Sequence, residues 1–322
     1  MKVLLTGGAG FIGSCMLKRL NEAGITNIIV VDHLGASDKW KNLEGKDFRD
    51  YFEKDKFLER LEGGSLDGKI DTIIHFGACS STTEQNATYM IENNYIYSKR
   101  LAEWALAKRA KFLYASSAAT YGAGEIGYSD ADDITPKLKP LNIYGYSKHL
   151  FDLWVLKNKL ERKFVGLKFF NVFGPNEYHK NDMRSMVHKG YQQIKATGKI
   201  KLFKSHKPDY KDGAQKRDFI YVKDAVELSY NFLEHPNKRG IFNIGTGNAK
   251  TWNDLAEALF SALGIAPNIE YFDMPEVLRG KYQYFTEADL GKLKKVNSSH
   301  KFFELKDAIK DYVSYLENTP YL

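Results

Sequence analysis

The N-terminal stretch KVLLTGGAGFIGSCMLKRLNEAG constrains the fold more than any other part of this chain. A short apolar run that ends at Thr6 predicts a strand, and the periodic apolar residues from Phe11 to Leu20 predict a helix that stops near Gly24. The next apolar run, NIIVVD, predicts a second strand that ends at Asp32. The stretch therefore predicts a βαβ unit, which is the building block of a parallel sheet.

The turn between the first strand and the first helix carries Gly7, Gly10 and Gly13. Glycine at these places permits a tight turn, close approach of the backbone to a pyrophosphate, and close packing of the helix on the strand. The helix N-terminus then faces the phosphates, and an acidic residue such as Asp32 after the second strand is typical of a dinucleotide site. The pattern predicts an α/β fold with a Rossmann-type, doubly wound parallel sheet and a bound dinucleotide.

The length and composition agree with a large α/β protein. The chain has 322 residues, 43% of them hydrophobic, which is enough for one large domain or two smaller ones. No run of 18 apolar residues predicts a membrane-spanning helix, and glycines interrupt the apolar start too early for a signal peptide. Cys15 and Cys79 form neither a disulfide framework nor a metal-binding spacing, so we expect reduced thiols, no metal and a cytoplasmic location.

The net charge of +7 is compatible with several kinds of anionic partner. The lysines are spread along the chain, without a basic block, a zinc finger or an RNA-binding signature. The charge therefore favours a phosphate-rich small molecule over nucleic acid or a membrane.

The segment NIYGYSKHLF carries the most suggestive pair of side chains, Tyr144 and Lys148. On a helix, residues at i and i+4 share one face. A lysine beside a phenol favours the phenolate, so we expect the pKa of Tyr144 to fall below its reference value of ~10. Such a tyrosine is a proton acceptor at neutral pH, although an isolated pair is more typical of an ordinary helix face.

The glycine spacing G-x-x-G-x-x-G and the motif YGYSK together resemble the extended short-chain dehydrogenase/reductase family. The segment SAATYG matches that family's S-x-x-x-Y-G pattern and selects Ser117 as the catalytic serine. Across almost the whole chain, GACSSTTE, FNVFGPNEYHK, KRDFIYV and FNIGTG resemble the ADP-L-glycero-D-manno-heptose 6-epimerases. This resemblance implies inversion of one heptose carbon in ADP-heptose, a precursor of the lipopolysaccharide inner core, in a Gram-negative bacterium.

The resemblance implies a redox route to inversion, because the C–H bond of a carbinol carbon is not acidic. A nicotinamide takes the hydride, a planar ketone forms, and the hydride returns to the opposite face. Tyr144 acts as the base for the hydroxyl, Ser117 hydrogen-bonds the reacting oxygen, and Lys148 lowers the tyrosine pKa and holds the cofactor ribose. Lys180 in NEYHK matches a second acid/base across the substrate, and we expect its pKa to be lowered by desolvation or nearby positive charge.

The resemblance also implies the cofactor contacts, and it favours one tightly bound NADP over NAD. An acid such as Asp32 usually binds the 2′-hydroxyl of NAD, but the family uses NADP with an acid at this place. Lys39 and Lys54 match positions that supply positive charge, whereas His33 stands where the family usually has asparagine. The implied contacts are Gly7, Gly10, Phe11, Ile12, Gly13, Asp32, His33, Lys39, Lys54, Phe76, Gly77, Ala78, Cys79, Ser80, Asn93, Lys148, Val172 and Lys180.

The substrate contacts implied by the resemblance lie mostly in the second half of the chain. The planar guanidinium of Arg217 suits a diphosphate, although a surface ion pair with Asp218 or Asp224 is the alternative. Either His188 or Lys189 occupies the place of the family's substrate histidine, and the loop 204–215 is longer than usual. The implied set is Ser117, Asn171, Asp182, His188, Lys189, Phe203, Lys204, Ser205, His206, Arg217 and Tyr282.

The loosening of the βα alternation after Gly174 predicts two interwoven domains. We expect residues 1–173 and 216–247 to form the NADP-binding domain, and residues 174–215 and 248–322 to form a smaller α/β substrate domain. The site would lie in the cleft between them. The resemblance further implies a homo-oligomer, a pentamer in that family.

Other functions fit parts of the pattern. Another nucleotide-sugar epimerase or a dehydratase would use the same scaffold, but a dehydratase needs an acid/base pair near the tyrosine, and the acids of AGEIGYSDADD predict a surface loop. A non-catalytic NADP-binding regulator would usually have lost the Tyr144 and Lys148 pair. A nucleic-acid-binding role rests on the basic charge alone.

Overall fold

The computed structural model describes residues 1–64, 69–279, 282–297, 299–318 and 321–322. Its strands are β1 Val3–Thr6, β2 Ile28–Asp32, β3 Asp50–Glu53, β4 Thr72–His75, β5 Lys111–Ser117, β6 Val165–Phe169, β7 Asn171–Phe173, β8 Ile200–Phe203, β9 Lys216–Arg217, β10 Phe219–Tyr221, β11 Gly240–Ile244, β12 Lys250–Thr251 and β13 Ile269–Phe272. Its α-helices are α1 Phe11–Glu22, α2 Lys54–Glu62, α3 Ala87–Met90, α4 Tyr97–Lys108, α5 Ile143–Lys157, α6 Met186–Thr197, α7 Val222–Glu234, α8 Trp252–Leu263, α9 Glu276–Arg279, α10 Gly291–Val296 and α11 Leu305–Glu317.

The central sheet has seven strands in the order β3-β2-β1-β4-β5-β6-β11. Every neighbouring pair in it is parallel, so the predicted α/β fold with a parallel, Rossmann-type sheet is confirmed. The chain builds outward from β1 to β3 and then crosses back to β4, which makes the gap between β1 and β4 the topological switch point. Ligands of such sheets bind at the carboxyl ends of the strands at this point.

Two hydrophobic clusters cover the two faces of the sheet. Alternate residues of β1 face opposite sides, so Val3 and Leu5 belong to one cluster and Leu4 to the other. Helices α1, α7, α8 and α11 contribute to the first cluster, whereas α2, α4 and α5 contribute to the second. Burial on both faces holds the carboxyl ends of the strands in fixed positions, which is what a site at the switch point needs.

The second half of the chain adds small sheets outside the central one. They pair β7 with β10, β9 with β12, and β8 with β13, and helix α6 packs against both β8 and α8. Strands β8, β12 and β13 and helix α6 lie in the segments predicted for the substrate domain, whereas β7, β9 and β10 lie in those predicted for the NADP-binding domain. The domain boundaries stay a prediction. Within the residues described, no helix is long and apolar enough to span a bilayer.

Candidate active site

A cavity of about 650 Å³ opens at the switch point. It begins at the glycine turn after β1, passes the ends of β4 and β5, and reaches α5 and the loop after β7. Many residues that the sequence assigned to cofactor or substrate line it together: Gly7, Gly10, Phe11, Ile12, Gly13, Asp32, Lys39, Phe76, Gly77, Ala78, Ser80, Ser117, Tyr144, Lys148, Asn171, Val172 and Lys180.

The glycine turn leaves no room for side chains. Gly7 has φ +73°, and a Cβ atom there would lie 2.5 Å from the backbone nitrogen of Gly77. A Cβ atom on Gly13 would lie 1.9 Å from the carbonyl oxygen of Gly7. Gly10 caps α1 without a side-chain hydrogen bond, so the first-turn N–H groups of α1 remain available at the cavity wall. The turn has the shape and the donors that a pyrophosphate requires.

A smaller cavity of about 150 Å³ adjoins the first and contains His33, Lys54, Cys79 and Asn93 as well as Asp32. The Oδ2 atom of Asp32 accepts a hydrogen bond from the backbone N–H of Ala9 at 2.8 Å. Its Oδ1 atom accepts from the N–H of His33 at 2.7 Å and pairs with the Lys39 ammonium. Asp32 is buried, both of its oxygens accept hydrogen bonds, and the positive charge of Lys39 compensates its negative charge.

Helix α5 positions the predicted tyrosine and lysine. Asn142 caps its N-terminus, with its side-chain oxygen 2.8 Å from the N–H of Gly145. Tyr144 lies in the first turn, and the buried Lys148 one turn later donates from Nζ to the carbonyl of Ala115 at 2.8 Å. Ser117, the last residue of β5, lies close enough to Tyr144 for its hydroxyl to lower the pKa of the phenol. The structure thus brings the three side chains together at one end of the sheet.

The groups of the protein raise the pKa of Tyr144, so the expectation that they lower it is wrong. Burial raises this pKa, and the hydrogen bond with Ser117 lowers it by less. Lys148 directs its ammonium to a backbone carbonyl, and burial lowers its own pKa to about 8. Desolvation is therefore the largest influence on the pKa of Tyr144.

Lys180 lies in a short 3₁₀ segment, Tyr178–Met183, and its ammonium is 5.5 Å from the centre of the Phe11 ring. Burial lowers the pKa of Lys180, while the carboxylate of Glu177 raises it by less. The shift has the expected direction for a lysine that acts as a base. The next residue, Asn181, has φ +46°, an uncommon conformation for a residue with a side chain.

Several residues that line the cavity were not among the predicted contacts. Trp252 at the start of α8 is one, and His179 beside Lys180 is another. Burial first, and then the charges of Lys39 and Lys180, lower the pKa of His179 to about 4. The segment NEYHK, which contains His179 next to Lys180, could have indicated His179. Nothing local in the sequence indicates Trp252.

Arg217 forms a second centre next to the cavity. It is 7% exposed, and its guanidinium carbon lies 5.0 Å from the ring centre of Tyr282 and 5.7 Å from that of Trp252. Phe203 packs edge-to-face on Tyr282 at 6.0 Å. Within the described residues no carboxylate comes within 4.0 Å of the Arg217 guanidinium, which donates to the carbonyl of Lys216.

The two acids that were the alternative partners of Arg217 have other partners. The carboxylate of Asp218 accepts from the backbone N–H groups of Thr246, Gly247 and Ala288. Asp224 accepts from His300 and from the backbone of Phe303. Because burying an unpaired cation is costly, Arg217 is well placed to bind an anion.

Several predicted substrate residues do not line the main cavity. His188 is buried against the ring of Tyr178 at 5.6 Å, and burial lowers its pKa to about 4. The ammonium of Lys189 donates to the carbonyl of Asp182 outside the cavity. Met186 and Val187, at the start of α6, line the cavity instead, and a substrate contact by His188 or Lys189 stays a prediction.

The long loop 204–215 is held by its own contacts and by the following chain. The N–H of Ser205 donates to Asp212 at 2.8 Å, and the N–H of His206 donates to the Tyr284 hydroxyl at 2.8 Å. Lys204, Ser205 and His206 do not line the main cavity, so their substrate contacts stay a prediction.

The acids that a dehydratase would need were expected on a surface loop, and this is only partly right. Asp130 is buried and accepts a hydrogen bond from the N–H of Asn243 at 2.7 Å. Asp132 pairs with Lys292 at 2.8 Å. Neither acid lines the cavity. In the part of the chain that the structure describes, no group of three His, Cys, Asp or Glu side chains could hold a metal ion.

The chain is similar to known proteins over nearly its whole length. Residues 3–245 match the NAD dependent epimerase/dehydratase family. The chain is 53% identical over 310 residues to the ADP-L-glycero-D-manno-heptose-6-epimerase of Nitratidesulfovibrio vulgaris, with 96% of each chain covered. It is 47% identical over 322 residues to the enzyme of the same name from Fusobacterium nucleatum, with 97% and 96% covered. The crystal structure of Helicobacter pylori ADP-L-glycero-D-manno-heptose-6-epimerase superimposes with a TM-score of 0.82 at 28% identity, over 98% of this chain and 96% of that one.

Proposed function

The chain belongs to the NAD dependent epimerase/dehydratase family, and we propose that it inverts C6 of the heptose in ADP-D-glycero-D-manno-heptose to give ADP-L-glycero-D-manno-heptose. The observation that carries this proposal is the presence of two groups able to move protons, Tyr144 and Lys180, in one cavity with the glycine turn. An epimerase that oxidises and then reduces one carbon needs such a pair, because the hydroxyl changes side. The product serves lipopolysaccharide inner-core synthesis, as the relatives' names imply.

The cavity fits a nicotinamide dinucleotide, the cofactor type of this family. The glycine turn and the α1 N–H groups would hold the pyrophosphate. The Oδ1 atom of Asn93 is buried and has no hydrogen-bond partner among the described residues, so it can accept from the cofactor. When bound, the cofactor supplies a reversible acceptor for one hydride.

NADP is our more specific proposal. Both oxygens of Asp32 already accept hydrogen bonds, and Lys39 compensates its charge. Asp32 is therefore poorly placed to hold both ribose hydroxyls of NAD, and its repulsion of a 2′-phosphate is reduced. Lys54 and His33 line the same small cavity and could face that phosphate.

Purified protein denatured without added cofactor is expected to release NADP. An epimerase has no need to exchange its cofactor between turnovers, so tight binding does not slow it. The measurement is chromatography of the released nucleotides with a coupled enzymatic assay that distinguishes NADP from NAD. Release of NAD alone, or no affinity for either nucleotide, would contradict the proposal.

The chain's own residues divide the proton chemistry. Tyr144 accepts the proton of the reacting hydroxyl, and Ser117, which lines the same cavity, donates to the same substrate oxygen. Lys148 contacts the Ala115 carbonyl and holds the cofactor ribose. Lys180 serves the hydroxyl when it points to the other side.

Arg217 is proposed to bind the substrate diphosphate. Its guanidinium lies over the rings of Trp252 and Tyr282, and Trp252 also lines the main cavity. The indole N–H of Trp252 donates to the Tyr282 hydroxyl at 2.8 Å, which fixes both rings. A diphosphate would supply the anion that this buried cation lacks within the described residues.

Incubation of the protein with ADP-D-glycero-D-manno-heptose tests the function directly. The heptose side-chain signals in the NMR spectrum are expected to convert to those of the L-glycero epimer, without net consumption of cofactor. UDP-glucose supplied in parallel should remain unchanged. No conversion of ADP-heptose by protein that carries its cofactor would refute the proposed function.

A further inference from the structure

A fully buried ion pair lies behind the predicted catalytic side chains. The Asp152 carboxylate and the Lys168 ammonium are 2.9 Å apart, and both side chains are 0% exposed. Asp152 lies on α5, one helical turn after Lys148, and Lys168 lies on β6. Neither residue lines the cavity described above.

The carboxylate of Asp152 is held by donors from strand β5. The hydroxyl of Tyr114 donates to its Oδ1 atom at 3.0 Å, and the hydroxyl of Ser116 donates to its Oδ2 atom at 2.7 Å. With Lys168, three donors therefore fix the carboxylate. The contacts join α5 to both β5 and β6.

The ammonium of Lys168 reaches the segment that follows β5. Its Nζ atom donates to the hydroxyl of Thr120 at 2.9 Å and lies 5.1 Å from the centre of the Tyr121 ring. Thr120 in turn donates to the carbonyl of Ser117 at 2.8 Å. Thr120 therefore links the ion pair to Ser117, the predicted catalytic serine. On the Asp152 side, the pair contacts Ser116, the chain neighbour of Ser117.

Stability alone does not explain such a pair. Removing two charges from water costs several kcal/mol per ion, and neutral or apolar replacements of a buried pair are often no less stable. On the basis of the proposed epimerase function, we propose that Asp152 and Lys168 are positioning residues that hold α5 against β5, and so align Tyr144 and Lys148 with Ser117.

The charge of Asp152 also acts on Lys148, which is on the same helix face. Burial lowers the pKa of Lys148 to about 8, and Asp152 opposes this by favouring the ammonium. The other titratable groups that influence or face Lys148 are Cys79 and the buried His75, on or after β4, and Tyr144. Removing the negative charge of Asp152 should let Lys148 lose its proton at a lower pH.

The test is the double variant Asp152→Asn/Lys168→Met, which removes both charges and roughly keeps both volumes. It is expected to fold with its cofactor and to lose activity by about 10–10²-fold, because small displacements of reacting groups are costly. The loss should appear in kcat more than in KM, and the alkaline limb of the pH–rate profile should move to lower pH. Thermal unfolding, released nucleotide and the NMR assay across pH provide these readouts.

Two further variants complete the test. Lys168→Arg keeps a positive charge beside Asp152 and is expected to retain the wild-type pH profile. Ser116→Ala removes one donor to Asp152 without leaving a buried charge unpaired, and it should lower kcat by less than the double variant does. If the double variant, or Ser116→Ala where the double variant does not fold, keeps the wild-type rate and profile, the pair only supports the fold. Failure of the wild-type protein to convert ADP-heptose would instead count against the proposed function.

Discussion

Replacing Tyr144 with phenylalanine is expected to slow epimerisation by about 10²–10⁴-fold, the usual effect of losing a general base. The substitution removes one oxygen and keeps the ring, so the packing around the start of α5 should be preserved. The hydroxyl proton then has no acceptor beside Ser117. The glycine turn and Lys148 are untouched, so the bound nucleotide should remain. The rate is measured by NMR of the heptose, and the nucleotide by release on denaturation.

Tyr146 offers a matched control two residues away. Its side chain is 46% exposed and does not line the cavity. Tyr146→Phe should therefore epimerise within a factor of a few of the wild-type rate. If Tyr144→Phe behaved like this control, Tyr144 would have no part in the proton transfer.

Much of the fold could be predicted from local sequence patterns. Helix α1 was predicted over Phe11–Leu20 and runs over Phe11–Glu22, because its apolar periodicity and the glycines at its ends are local signals. Strand β3, with the sequence DYFE, was not predicted, since it is a short strand at the edge of the sheet with an acidic residue at each end. Its pairing with β2 is a tertiary contact that no window of the sequence contains.

A π-helical turn at Ile91–Ile96 also has a tertiary origin. Asn94 within it accepts from the N–H of Cys79 at 2.8 Å and donates to the carbonyl of the same residue at 2.9 Å. These bonds tie the helix to the loop after β4, next to the cofactor cavity. The sequence contains the asparagine, but only the fold brings Cys79 to it.

In the candidate site, too, local motifs predicted some features and tertiary packing determines the others. The motifs correctly predicted that Ser117, Tyr144 and Lys148 lie close together, because the end of a parallel strand and the helix that follows it meet at one edge of the sheet. The direction of the Tyr144 pKa shift could not be predicted, because desolvation depends on every residue packed around the phenol. Hydrogen bonding by Ser117 and the positive charge of a bound nicotinamide are the influences that would lower this pKa during turnover.

Lys180→Met is expected to abolish most epimerisation while Tyr144 still works from its own side. The lysine is half-buried beside the Phe11 ring, and burial lowers its pKa, which is the direction that a proton-accepting lysine needs. Methionine roughly keeps the length and removes the ionisable nitrogen. A loss of about 10²–10⁴-fold is expected if Lys180 is the second acid/base. A truncated sugar aldehyde that dismutates to one alcohol and one acid should still react, because this chemistry uses one side only.

Lys195→Met is the matched control, since Lys195 on helix α6 pairs with Glu317 at 3.2 Å and lies outside the cavity. It should epimerise ADP-heptose at close to the wild-type rate, and both variants should release the same amount of nucleotide. The experiment must distinguish a loss of proton transfer from a loss of cofactor or substrate binding. A fall in epimerisation with dismutation retained assigns the second proton transfer to Lys180, whereas an equal fall in both would mean that Lys180 mainly holds cofactor or substrate. Epimerisation by Lys180→Met at near the wild-type rate would leave Tyr144 to serve both faces of the ketone, and the two-group mechanism would then be wrong.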